Sequence, residues 1–169
     1  MQKKKMFRFN VEPGCSDIKK LRKKSREFLK SHGLSEDAIY SQMAILKELI
    51  NSGKKIGNQN ASENEISVLL LIDNDTIIAE ISRPVHESSF GQLDELDKTI
   101  QWIRGYQDPF EAYATIRNDF AENPGNRAPN GCGLARIAYE AGAIVDFYVS
   151  EDNILNLSAV KTIDGGIKA

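Results

Sequence analysis

The chain has 169 residues, 41% of them hydrophobic and 27% charged, and a net charge of −2. These proportions suit one domain with a real core, and they give no overall field to attract nucleic acid. The longest apolar run, Val68 to Ile72, is far too short to cross a bilayer, and Cys15 and Cys132 lack metal-ligand spacing.

In chain order, Phe7 to Val11 alternates apolar and polar side chains and predicts a strand, ended by Pro13-Gly14. Ser16 and Asp17 are good N-caps for a helix carrying Ile18, Leu21, Ser25, Phe28 and Leu29 at helical spacing, closed by Gly33. A second helix begins at Ser35-Glu36-Asp37, where acids suit the dipole. It buries Ile39, Met43, Leu46 and Ile50 and is expected to end at Gly53. Residues 54–64 read as an exposed loop. Glu65 to Ile72 and Thr76 to Arg83 predict a hairpin around Asp73-Asn74-Asp75.

Two helices are expected in the long segment 85–130, at about 92–106 and 109–123, with Pro109 suited to a first helical position. A turn-rich loop, Asn123 to Asn130, leads into Gly131-Cys-Gly-Leu134 and an amphipathic helix ending at Gly142. Ala143 to Val149 and Ile154 to Val160 predict a last hairpin. Helices gathered on one face of a mixed, mostly antiparallel sheet give an α/β two-layer sandwich, one domain over residues 1–169.

The stretch Asn130 to Glu140 is the strongest chemical signal. Its glycines let backbone approach a ligand closely, and the unpaired N–H groups of the following helix turn suit an anion. Set against this, a glycine turn before a helix also serves plain packing. Lys19, Lys23, Arg26 and Lys30 form a basic stripe on the first helix. A solvated face is its default reading, and an acidic partner or nucleic acid the sharper one. His32 precedes a helix-ending Gly, where a cation complements the dipole, and His86 reads as a loop residue. Trp102, Tyr106, Phe110 and Tyr113 have the spacing of core aromatics, and some could line a groove. The opening Met-Gln-Lys-Lys-Lys-Met-Phe-Arg lacks an apolar stretch after its charges, so no secretion signal is expected. Two cysteines fit a reduced cytoplasm.

The element order and three local phrases resemble the GHKL ATPase superfamily, in particular the small anti-sigma-factor serine kinases, whose domain is histidine-kinase-like (a Bergerat-type fold). Gly33-Leu34-Ser35-Glu36-Asp37 matches a phrase between their first two helices. Glu48-Leu49 matches the start of their Glu-Leu-x-x-Asn motif, in which the Glu activates the attacking group and the Asn holds Mg²⁺. In that register the metal position is Ser52. A shifted register keeps Asn51 as the metal ligand but puts Lys47 in place of the Glu. The first is favoured because Leu46, Leu49 and Ile50 then take the apolar positions. The second motif, Asp-x-Gly-x-Gly, whose Asp receives the adenine amino group, is replaced by Ile81-Ser82-Arg83-Pro84-Val85. An Arg side chain has only donors and cannot accept that N–H. The third motif matches well in Gly131, Gly133 and Leu134. Residues of about 85–130 correspond to an enlarged lid region.

The resemblance thus implies Glu48 as the catalytic residue, Asn51, Ser52, Gly131, Gly133 and Leu134 around a nucleotide, and Asn51 on a metal. It makes ATP and Mg²⁺ candidate cofactors and leaves a homodimer open. Because two of three motifs are altered, the expected function is a regulatory protein of the anti-sigma-factor kinase type. Such a protein binds a sigma factor or anti-sigma antagonist-like partner, with nucleotide binding weakened or lost. An active ATP-dependent serine/threonine kinase of a partner-switching pathway is the first alternative. Nucleic-acid binding by the basic first helix is the second.

Overall fold

The computed structural model describes residues 3–11, 15–56, 65–122 and 132–163. Five strands, β1 (Lys5–Val11), β2 (Ile66–Asp73), β3 (Thr76–Pro84), β4 (Ile144–Val149) and β5 (Ile154–Thr162), form one sheet in the order β1-β2-β3-β5-β4. Every pairing is antiparallel, so the sheet is not mixed. The helices are α1 (Cys15–Ser31), α2 (Glu36–Lys55), α3 (Phe90–Arg104), α4 (Pro109–Glu122) and α5 (Cys132–Glu140), with a short 3₁₀ turn at Glu87–Ser89.

Side-chain alternation decides the two faces of the sheet. Val68, Leu70, Ile77, Ala79, Ile81, Leu155, Leu157 and Ala159 are buried, and α1, α2 and α5 supply the matching apolar stripes through Leu21 and Leu29, Leu46 and Leu49, and Leu134 and Ile137. The result is the expected two-layer α/β sandwich with its core between helices and sheet.

Local chemistry sets the ends of these elements. Gly33 sits at φ 81°, and Gly33 and Leu34 N–H groups donate to the Lys30 and Leu29 carbonyls, closing α1 as a glycine C-terminal motif requires. The Ser35 hydroxyl accepts from the Ala38 N–H and starts α2. Asn74 and Asn153 take left-handed φ values of 56° and 59° in the two hairpin turns.

One boundary departs from expectation for a packing reason. α2 does not end at Gly53 but runs on to Lys55. Gly53 is buried inside the helix, and a Cβ there would collide with Ile81 Cδ1 on β3. The glycine is a point of close helix–sheet approach.

Candidate functional site

α2 and α5 pack side by side over the sheet, and Glu48 and Gly133 meet where they touch. The Glu48 side chain, 14% exposed, points from α2 toward α5. Arg136 Nη2 donates to its Oε1 at 2.7 Å. The rest of the carboxylate rests on Gly133: a Cβ built there would run into Oε2 and stand 2.8 Å from Cδ. Gly133 and Arg136 are three residues apart and share one helix face. The carboxylate therefore sits in the first turn of α5, where partial positive charge favours it. Arg136 Nε also lies 3.8 Å from Glu140 Oε2, so the guanidinium is held between two acids.

The expected juxtaposition of the Glu48 helix and the glycine-led helix is present, but in contact and not across an open gap. Gly131 lies outside the described residues. Leu134, 2% exposed, belongs to the core. Asn51 and Lys47 are exposed while Ser52 is half-buried, so α2 turns Glu48 and Ser52 inward and Asn51 toward solvent. Asn51, expected to hold a metal, is thus on the outer face. Among the described residues no three His, Cys, Asp or Glu side chains gather as a metal site.

At the end of β3, where the resembled motif carries its Asp, Arg83 is 4% exposed and its Nη1 donates to the Gly53 carbonyl at 2.7 Å. Burial pushes the guanidinium below its ordinary pKa. The cation lies at the last turn of α2, where the dipole favours it.

A cavity of about 430 Å³ opens farther along the same seam, between the first half of α2 and the last half of α5. Ser41, Ala44, Arg136 and Glu140 line it, with Ile77 and Ile163 among its apolar lining. Lys161 Nζ donates to Ser41 Oγ at 2.7 Å at its side. Arg136 joins this cavity to Glu48. Its role was missed in the sequence, although its three-residue spacing from Gly133 was the available signal.

Residues 85–122 pack outside this seam. Tyr139 of α5 stacks with Tyr113 and tilts against Phe110 of α4, with ring centres 5.6 and 5.0 Å away. Trp102 and Tyr106 form a separate edge-to-face pair. Neither group lines the cavity. Lys19, Lys23, Arg26 and Lys30 are all exposed on α1, and Arg26 bonds Glu36 at 2.7 Å. His32 Nδ1 lies 2.7 Å from the Phe28 carbonyl, to which the ring N–H donates, so it serves the end of α1 as expected.

A solved structure shares this architecture. The crystal structure of the SiaB–SiaC complex from Pseudomonas aeruginosa contains a chain similar to this one, with TM-score 0.63 and 18% identity over 93% of this chain and 89% of that chain. At that identity the likeness is one of fold. No protein-family profile and no curated protein matches the chain. Among the described residues no helix is long and apolar enough to cross a membrane.

Proposed function

We propose that this chain is a regulatory protein of the anti-sigma-factor kinase type that acts by binding a protein partner, with nucleotide binding weakened or lost. One observation carries the reading: the Glu48 carboxylate occupies the first turn of α5 and is tied there by Arg136. An anion arriving at that turn meets a negative charge already in place. Phosphoryl transfer depends almost entirely on positioning and charge neutralisation, so an engaged base and a poor metal ligand set remove most of it. Mg²⁺ needs near-octahedral oxygen ligands. The assigned residues offer one solvent-facing amide, Asn51, and one hydroxyl, Ser52, and they do not fit it. Where the resembled motif has an Asp to accept the adenine amino group, this sequence has Arg83, a pure donor bonded to the Gly53 carbonyl.

The partner reading draws on the fold's likeness to a chain found in a complex of two proteins and on the exposed basic stripe of α1, which suits an acidic surface. The test is calorimetric titration with purified sigma factors and anti-sigma antagonist-like proteins from the same organism, with and without ATP and Mg²⁺. Binding to one of them with an affinity that nucleotide leaves unchanged is expected. Binding that appears only with nucleotide contradicts the reading.

The contact between Glu48 and Gly133 favours one second reading, an active ATP-dependent serine/threonine kinase. There Arg136 must release Glu48 before transfer. Glu48→Ala then abolishes phosphorylation of the partner, and retained phosphorylation sinks the assignment.

A further inference from the structure

Toward the start of α2 its seam with α5 is walled by small side chains, Ser41 and Ala44 on one helix and Ala141 just past the other. They leave a cavity of about 430 Å³, toward the lower end of the range for small-molecule sites. Its floor is the sheet, where β3 begins beside the end of β5 and Ile77 pairs with Lys161. Along β5, Leu155, Leu157 and Ala159 are buried against the helices, and strand alternation puts Lys161 on the same face. An ammonium on a core-facing row departs from the apolar pattern and calls for polar or anionic partners. Ser41 Oγ accepts one N–H from Lys161 Nζ at 2.7 Å. An ammonium has three N–H donors, so it can hold Ser41 and the carboxylate of a ligand together.

Charge narrows the class of ligand. Among the described residues that line the cavity, Asp37 and Glu140 balance Lys161 and Arg136. Arg136 is already bonded to Glu48 at 2.7 Å and lies 3.8 Å from Glu140. The lining thus gives no surplus of positive charge for a doubly charged phosphate. The Glu140 side chain, 56% exposed, keeps an acid at the mouth, while Ile77 and Ile163 supply apolar surface.

We propose that this cavity binds a free α-amino acid with an apolar side chain. Its carboxylate sits on Lys161, its ammonium on Glu140, and its side chain against Ile77 and Ile163. Lys161 takes the carboxylate in preference to Arg136, because Glu48 and Glu140 already engage the guanidinium. This pose leaves the ammonium at the solvated mouth and desolvates the carboxylate only against a cation, so neither charge is buried unpaired. The cavity adjoins the last half of α5, not the first turn that Glu48 occupies. The proposal therefore does not rest on the reading of the Glu48 site, and its test uses no nucleotide.

The test is isothermal titration calorimetry of the full chain with leucine, methionine and phenylalanine in turn. Each is taken to about 10 mM, with thermal denaturation alongside, because a ligand of the folded state raises the midpoint. Saturable binding of at least one of them is expected. For leucine, isocaproate lacks the ammonium and isoamylamine lacks the carboxylate, and each is expected to bind at least about tenfold more weakly. Lys161→Met and Glu140→Gln are each expected to weaken amino-acid binding about tenfold. Glu140→Gln, at an exposed position, decides the matter should Lys161→Met fail to fold. Absence of binding by all three amino acids overturns the proposal. So does binding that either folded variant leaves unchanged, or that isocaproate or inorganic phosphate matches.

Discussion

Glu48 shows how one side chain's surroundings decide its use. Its carboxylate is mostly buried, bonded by Arg136 and lodged where Gly133 has no Cβ. A double-mutant cycle of Glu48→Gln and Arg136→Met, read by urea denaturation, is predicted to give a coupling energy of about 1–2 kcal/mol, above that of a surface pair. Gly133→Ala is predicted to cost about as much, because the new methyl group displaces a flexible carboxylate and breaks that bond without striking backbone. Glu80 makes a pH prediction of known sign. Burial raises its carboxyl above 4.5, with Arg8 pulling it partly back. The folded state then holds the proton more tightly than the unfolded chain. Glu80's contribution is therefore fully favourable below the unfolded value and is lost as pH rises through the raised folded value. Glu80→Gln should raise the urea midpoint near neutral pH and leave it nearly unchanged near pH 4. A gain confined to acid would contradict the assignment.

At the scale of elements, α2 and β3 approach closely where they cross. Gly53 abuts Ile81, and its carbonyl accepts from Arg83. Gly53→Ala lies inside a helix, where alanine is intrinsically better, yet it is predicted to destabilise by about 2 kcal/mol because overpacking outweighs propensity. A thermal melt in which Gly53→Ala is neutral or stabilising would show that the joint is looser than described. This joint also marks where sequence reading stopped. Among the described residues, periodicity located the five α-helices and five strands, and Gly33, Asn74 and Asn153 announced their turns through residue type. Gly53 looked like a helix end because a packing glycine and a capping glycine are the same letter. Only the side chain across from it, Ile81, tells them apart. The Glu48–Arg136 bond spans 88 residues, so no local pattern could disclose it. What was legible was that both ends lay on apolar-striped helices. Leu46, Leu49 and Ile50, the apolar positions of the favoured register, are buried, but they do not disclose that Glu48 turns toward α5.

For the whole molecule, the helical layer and the open sheet face separate two kinds of surface. The seam of α2 and α5 carries the ion pair and the adjoining cavity, and α4 covers the outer side of α5. The basic stripe of α1 faces solvent at one flank. On the proposed reading, the scaffold presents surfaces to a partner while Glu48 fills the first turn of α5 from within. Anything that binds the folded state alone must raise its stability, by about 2.7 kcal/mol at a hundred times its Kd. The most direct measurement is a thermal denaturation series of the purified chain in rising millimolar ATP with Mg²⁺, beside Mg²⁺ alone. The account predicts a midpoint that does not move. A saturable rise of several degrees with ATP and Mg²⁺, absent with Mg²⁺ alone and abolished by Gly133→Ala, would contradict it.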